Sequence, residues 1–387
     1  MTHRLEIGAK APTACGGRIG LWIGLLFTTV LAGLTGCASQ AITADVSYYP
    51  PPPASAHAVH LKSFNRLREL VSIQPDFWER LRGQSAGPSV SKPAGIAYRS
   101  SHLYICDTDA NAVLDWDLTT GGSRWIGDAG DTILSKPVAI AVSASGGIYV
   151  ADTGRAEVVA FDPSGRTRFR IHPPGRQDYR PVAVALADSI VYVADIAAHR
   201  VDLFSTADGR YMGGFGEIGA EPGRIYFPMG LCVDAAGRLL LSDMMNGRVQ
   251  VFETDPEHAR PNDQSDISAR SIMTFGRPGN RYGEMGKPRG LDVGPDGVIF
   301  IADPEYAHIH LYDGDGRLLM MLGGPDEGPG QTTMPVDVAV ARSLPKSITR
   351  LVPDDFQAAY YLFVTNTVGI RRINLFAIGT SRRAVGV

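Results

Sequence analysis

A single pattern recurs six times along the chain, and no other feature restricts the fold as much. Each copy opens on a proline followed by small and branched apolar residues: Pro93-Ala-Gly-Ile-Ala, Pro137-Val-Ala-Ile-Ala, Pro181-Val-Ala-Val-Ala, Pro228-Met-Gly-Leu-Cys, Pro288-Arg-Gly-Leu-Asp and Pro335-Val-Asp-Val-Ala. Successive prolines lie 44, 44, 47, 60 and 47 residues apart. A second run ends on an acidic or amide residue, at Asp107, Asp152, Asp195, Asp243, Asp303 and Asn366. A third run follows (AVLDWD, AEVVAFD, HRVDLFS, GRVQVFE, AHIHLYD, GIRRINLF), and most copies close with a Gly- or Arg-rich turn and a shorter fourth run.

Short runs of β-branched and aromatic residues separated by Gly, Asp and Asn turns are antiparallel strands. Four strands per copy at a period in the forties make a blade, and six blades close a ring. The expected fold is all-β: a six-bladed β-propeller of four-stranded antiparallel blades. An opening proline suits the first residue of an innermost strand, where no ladder donor is needed. The last copy supplies only three strands. Val59 to Phe64 (VHLKSF) alternates apolar and polar and is expected to pair beside it, closing the ring with an N-terminal strand and removing an exposed edge. Asn65 to Leu81 is expected to start as a short helix and cap the assembly.

The motif P-x-G-[IL]-[AD]-V, a strand ending V-A-D, and Asn246-Gly-Arg-Val-Gln-Val-Phe252 together resemble the NHL repeat family. The resemblance spans most of the chain after the first 56 residues. It implies the fold and leaves function open, because unrelated functions share propellers.

The first residues read as an address. Arg4, Lys10 and Arg18 precede an apolar stretch, Ile19 to Gly33, too short and Gly-rich for a comfortable membrane span. Its end, Leu34-Thr35-Gly36-Cys37, resembles the lipobox of bacterial lipoproteins, which implies lipidation of Cys37. Several acyl chains, at about 0.8 kcal/mol per buried methylene, anchor a protein without a spanning helix. Ala38 at the next position implies the outer membrane. The expected organisation is a signal peptide over 1–36, the lipidated cysteine and a Pro-rich tether over 37–56, the propeller over 57–380 and a tail over 381–387.

Composition narrows the function. With 37 Lys+Arg against 40 Asp+Glu there is no basic excess for nucleic acid. The four cysteines, Cys15, Cys37, Cys106 and Cys232, form no CxxC, so neither a redox dithiol nor haem attachment is encoded. Cys106 and Cys232 fall in apolar runs and read as buried hydrophobes. NHL propellers include lyases with zinc-binding histidines on inner strands, but none of the six openings here has a histidine within the next five residues. His308 and His310 share a strand face and read as a solvated or stacked pair. Related rings include lactonases that hold a divalent cation with Glu, Asn and Asp. Only Asp337 and, deeper, Asp292 stand at strand openings here. The recurring acids at the ends of the second runs read as turn caps.

Less routine is a set of cations. Lys92, Lys136, Arg180 and Lys287 each precede an opening proline, and Arg289 follows one. They are expected to circle one face of the channel, either paired with the neighbouring acids or, with Asp337, forming a face for an anionic ligand or acidic partner. Insertions at Glu253 to Ala269 and Ser343 to Asp355 are polar loops on a rigid scaffold. The sequence assigns no catalytic residue, metal ligand or cofactor. Its leading expectation is a non-catalytic, membrane-anchored protein-binding propeller with an envelope protein partner. NHL-type lipoproteins imply envelope settings that include multihaem cytochrome systems. The alternative is a metal-dependent lactonase or lyase acting on a small molecule.

Overall fold

The computed structural model describes residues 47–51, 54–71, 87–128, 130, 132–255, 267–325 and 328–382, all within the unit Asp45–Val387. The signal peptide, Cys37 and most of the tether lie outside the described residues, as do 256–266 of the first insertion.

Six antiparallel sheets follow one another along the chain. The first comprises Pro93–Arg99, His102–Asp107, Ala112–Asp117 and Ser123–Ile126, and the third comprises Pro181–Ala187, Ile190–Asp195, Arg200–Ser205 and Tyr211–Phe215. Their first strands sit side by side in a ring, the sixth beside the first. The second strands are mostly apolar up to a closing acid or amide, and their packing explains it. In Ile190–Asp195 every residue is buried. Tyr192 and Ala194 pack with Leu231, Leu239 and Leu241 of the following blade. Val191 and Val193 point the other way, onto Tyr149 and Ala151 of the preceding one. The two-residue period of a strand thus serves two cores at once, and continuous apolar runs are the result.

Ring closure matches the expectation. Ala58–Phe64 pairs antiparallel with Ile373–Ser381, from Ala58 opposite Ile378 to Phe64 opposite Ile373, completing the sixth blade. Phe64 is fully buried beside Trp116 of blade one, so the N-terminal strand also stitches the seam between first and last blades. Tyr48–Tyr49 adds a fifth strand outside it, in a stretch read from sequence as tether. Leu67–Leu70 is the expected short helix; Leu67 and Leu70 are buried in the same seam. The rest of that segment, residues 72–86, lies outside the described residues.

One opening departs from expectation. The innermost strand of the fifth blade begins at Leu291, not at Pro288. Arg289 and Gly290 still exchange hydrogen bonds with Ala302, but the Gly290 N–H turns sideways to the Val336 carbonyl of blade six, which pulls this stretch out of regular pairing. Glycine is required here because a Cβ at residue 290 would overlap the Asp337 carboxylate.

Candidate functional site

The acids ending the second strands form the first layer of the site's frame. Asp107, Asp152, Asp195, Asp243 and Asp303 are each 0% exposed. Asp152 accepts N–H groups from Ser135 (2.7 Å), Lys136 (2.8 Å), Gly154 (3.1 Å) and Arg155 (3.2 Å). Asp107 does the same for Ser91, Lys92, Asp109 and Ala110. Asp303 receives Gly286, Lys287 and Glu305. One carboxylate therefore ties the entry of the first strand to the turn after the second. It also supports a left-handed residue four positions on, at Asn111, Ala156, His199, Gly247 and Ala307. The turn-cap reading holds.

The cation ring needs correcting. Lys92, Lys136, Arg180 and Lys287 give these acids their backbone N–H groups, not their side chains. Lys287 pairs instead with Glu305 at 2.7 Å. The side chain that reaches Asp195 is Arg176, 2.9 Å away and also bound to Asp202; sequence reasoning missed it. Of the five cations, Lys92, Lys136 and Arg289 line the central channel.

The channel is a cavity of about 580 Å³ lined by all six inner strands, a volume typical of small-molecule sites. Ile96, Ile140, Val184, Leu231, Leu291 and Val338, equivalent positions of the six repeats, give it an apolar belt. Cys232 also borders it, and burial pushes its thiol well up, as it does the Cys106 thiol.

Two carboxylates break the belt. Asp337 occupies the position held by Gly95, Ala139, Ala183, Gly230 and Gly290 in the other blades; Asp292 occupies that of Ala97, Ala141, Ala185, Cys232 and Ala339. Asp337 accepts the N–H of Val338 (2.9 Å) and, across the blade boundary, of Ile96 (2.9 Å). Asp292 accepts those of Val293 (2.8 Å) and Val340 (2.7 Å) of blade six. Those N–H groups lie on the free edges of inner strands, where no further strand exists to receive them. Burial raises Asp292 to about 6, against the pull of its two N–H bonds. Burial raises Asp337 further, to about 7, and the nearby Asp292 charge adds to the rise.

Arg289 is the third departure, where Ala94, Val138, Val182, Met229 and Val336 stand in the other repeats. Its Nε is buried without a hydrogen-bond partner among the described residues, and burial alone lowers its pKa. The carboxylates of the channel do not neutralise it, since both are turned onto strand edges.

The donor set does not suit the divalent cation that lactonase-type rings employ. Among the described residues no three His, Cys, Asp or Glu side chains converge. His310 lies 3.3 Å from Asp303 and 6.5 Å, ring to ring, from His308; the two form the edge-stacked pair expected of them.

No protein-family model matches the chain. A stretch of 125 residues is 26% identical to the protein brain tumor of Drosophila melanogaster, covering 31% of this chain but only 12% of that protein. Among solved structures the chain is similar to a gluconolactonase of Xanthomonas campestris (TM-score 0.52, 13% identity, 84% and 89% of the two chains). It is also similar to regucalcin, a calcium-binding protein of Agrobacterium tumefaciens (0.50, 13%, 76% and 92%). A streptogramin B lyase is similar at 0.49 and 13%, over 77% and 86%. The likeness to the gluconolactonase and to regucalcin agrees with the six-bladed β-propeller seen in the chain.

Proposed function

We propose that this propeller acts on a small molecule held in its central channel, with Asp337 as its acid–base group and Asp292 as the neighbouring charge that helps raise it. The observation that carries this reading is the pair itself: two carboxylates on adjacent blades, in one cavity, without a cationic partner, both raised toward neutrality. A group titrating near the working pH is suited to take and return a proton. The reaction class is hydrolysis of a lactone or ester, which the gluconolactonase-like architecture supports. Asp337 takes a proton from water as the water oxygen adds to the carbonyl carbon. The carbonyl carbon to alkoxy oxygen bond then breaks, and the same proton is returned to the departing oxygen. No step runs through a metal, because the donors present do not fit one.

The test is turnover of glucono-1,5-lactone and p-nitrophenyl acetate by the wild type and by Asp337→Asn. General acid–base catalysis contributes about 10²–10⁴-fold, so the variant should lose that much while its circular dichroism shows it still folded. A folded wild type that turns over neither compound contradicts the reading.

A second reading rests on the face around the strand-opening prolines. Lys92, Lys136 and Arg180 are exposed there. So are Ile133, Ile218, Met245, Tyr282, Met334 and Ile370, on the loops of the same face. A cationic rim with apolar tips suits an acidic protein surface. On this reading the lipid on Cys37 and the Pro-rich tether hold the propeller at the outer membrane, where the face docks an envelope partner such as a multihaem cytochrome. Cys37→Ser should release the protein from membranes. Lys92→Glu with Lys136→Glu should abolish co-purification of a stoichiometric partner, and retention of that partner by the double variant overturns the docking face.

A further inference from the structure

Arg289 is the least compensated charge bordering the channel. A desolvated guanidinium without a counter-charge is costly, and native proteins pair such groups or give them a ligand. Here the cavity's own acids are committed to strand edges: Asp337 to Ile96 and Val338, Asp292 to Val293 and Val340. Lys92 and Lys136 line the same cavity, and neither is in an ion pair among the described residues, whereas Lys287 is paired. The backbone of residue 289 is fixed as well, because its carbonyl accepts the Ser242 hydroxyl and would overlap any Cβ at residue 230. The guanidinium is therefore carried by a rigid stretch at a position where the five other blades place apolar side chains. Below it, in chain order along each inner strand, lies the apolar belt from Ile96 to Val338.

We propose that the ligand of this channel is a monocarboxylate with an apolar body, its carboxylate seated on Arg289 and its body in the belt. The proposal rests on the channel being the functional site. It adds the ligand's chemistry: a single planar anion matches the guanidinium fork, and a compact hydrocarbon matches the belt. For a lactone or ester hydrolase, Arg289 would then hold the acid that the reaction releases.

Isothermal titration of the full chain at neutral pH with cyclohexanecarboxylate, and with the neutral cyclohexanecarboxamide, separates charge from shape. The wild type should bind the carboxylate about tenfold or more tightly than the amide. Arg289→Met should remove that preference while keeping affinity for the amide, and Arg289→Lys should restore part of it. Equal binding of acid and amide by the wild type overturns the proposal, as does a preference that survives in Arg289→Met. If Arg289→Met does not fold, the wild-type pair and Arg289→Lys still decide the matter. Inorganic phosphate that displaces the carboxylate at equal concentration overturns the assignment of an apolar body. Carboxylate binding without turnover of any ester sinks the acid–base reading and leaves this one standing; turnover without preference for the acid does the reverse.

Discussion

Two sets of carboxylates share this propeller and have opposite characters. Those that end the second strands recur in five blades and collect up to four N–H donors each. At Asp303 burial pushes the carboxyl up, but the His310 ring beside it and hydrogen bonds from Lys287 and Gly286 outweigh it and leave the group below its ordinary value. Asp292 and Asp337 occur once each, take two N–H groups apiece, and are raised to about 6 and about 7. The difference teaches where to look in a repeat fold. Residues that obey the repeat hold blades together, and residues that break it at the axis are free to do chemistry.

The comparison can be broken most severely at a recurring acid. Asp152→Ala strands four part-buried N–H groups, and a loss of about 2–4 kcal/mol in equilibrium urea unfolding is expected. A loss under about 1 kcal/mol would show that these acids do not carry the frame. Removing the repeat-breaking cation should act in the opposite direction. Arg289→Met, which deletes an uncompensated charge and leaves an apolar side chain of similar length, is expected to stabilise the folded protein by roughly 1–2 kcal/mol. Destabilisation would mean the guanidinium has a structural partner.

A smaller effect, of about 1 kcal/mol, is expected from pH. Asp337 and Asp292 bind protons more tightly in the folded state than in the unfolded one. Their contribution is therefore fully present below the ordinary carboxylate range and is lost as pH rises through about 6 and 7. Asp337→Asn should accordingly gain on the wild type between pH 5 and pH 8 in paired denaturation curves. His60, lowered to about 4 by burial and by Arg371, works the other way, weakening the fold as pH falls from the unfolded value through 4, but equally in both proteins. The smallest test concerns the left-handed turn. Ala156 has φ 55°, so Ala156→Gly should stabilise by about 0.5 kcal/mol.

How much of this was legible in the sequence follows from the same contrast. Periodicity exposed the blades, the closing strand and the turn role of Asp107 to Asp303, because each rests on local spacing. It also flagged Asp337, Asp292 and Arg289 as residues near the channel. It could not say that the two acids reach sideways to the edges of neighbouring inner strands, since Ile96 and Asp337 are 241 residues apart. It grouped Lys92, Lys136, Arg180, Lys287 and Arg289 as one ring, whereas Arg289 differs in burial and Lys287 finds Glu305. A signal was present: aligned repeats show one Arg and two Asp where every other copy has a small or apolar residue.

The measurement that tests the central claim most directly is a crystal structure of the protein soaked with cyclohexanecarboxylate. Ligand density inside the channel, with the carboxylate roughly 3 Å from the Arg289 guanidinium and the ring against the apolar belt, is the result predicted. A ligand bound only on an outer surface, with the channel holding nothing but water, would contradict it.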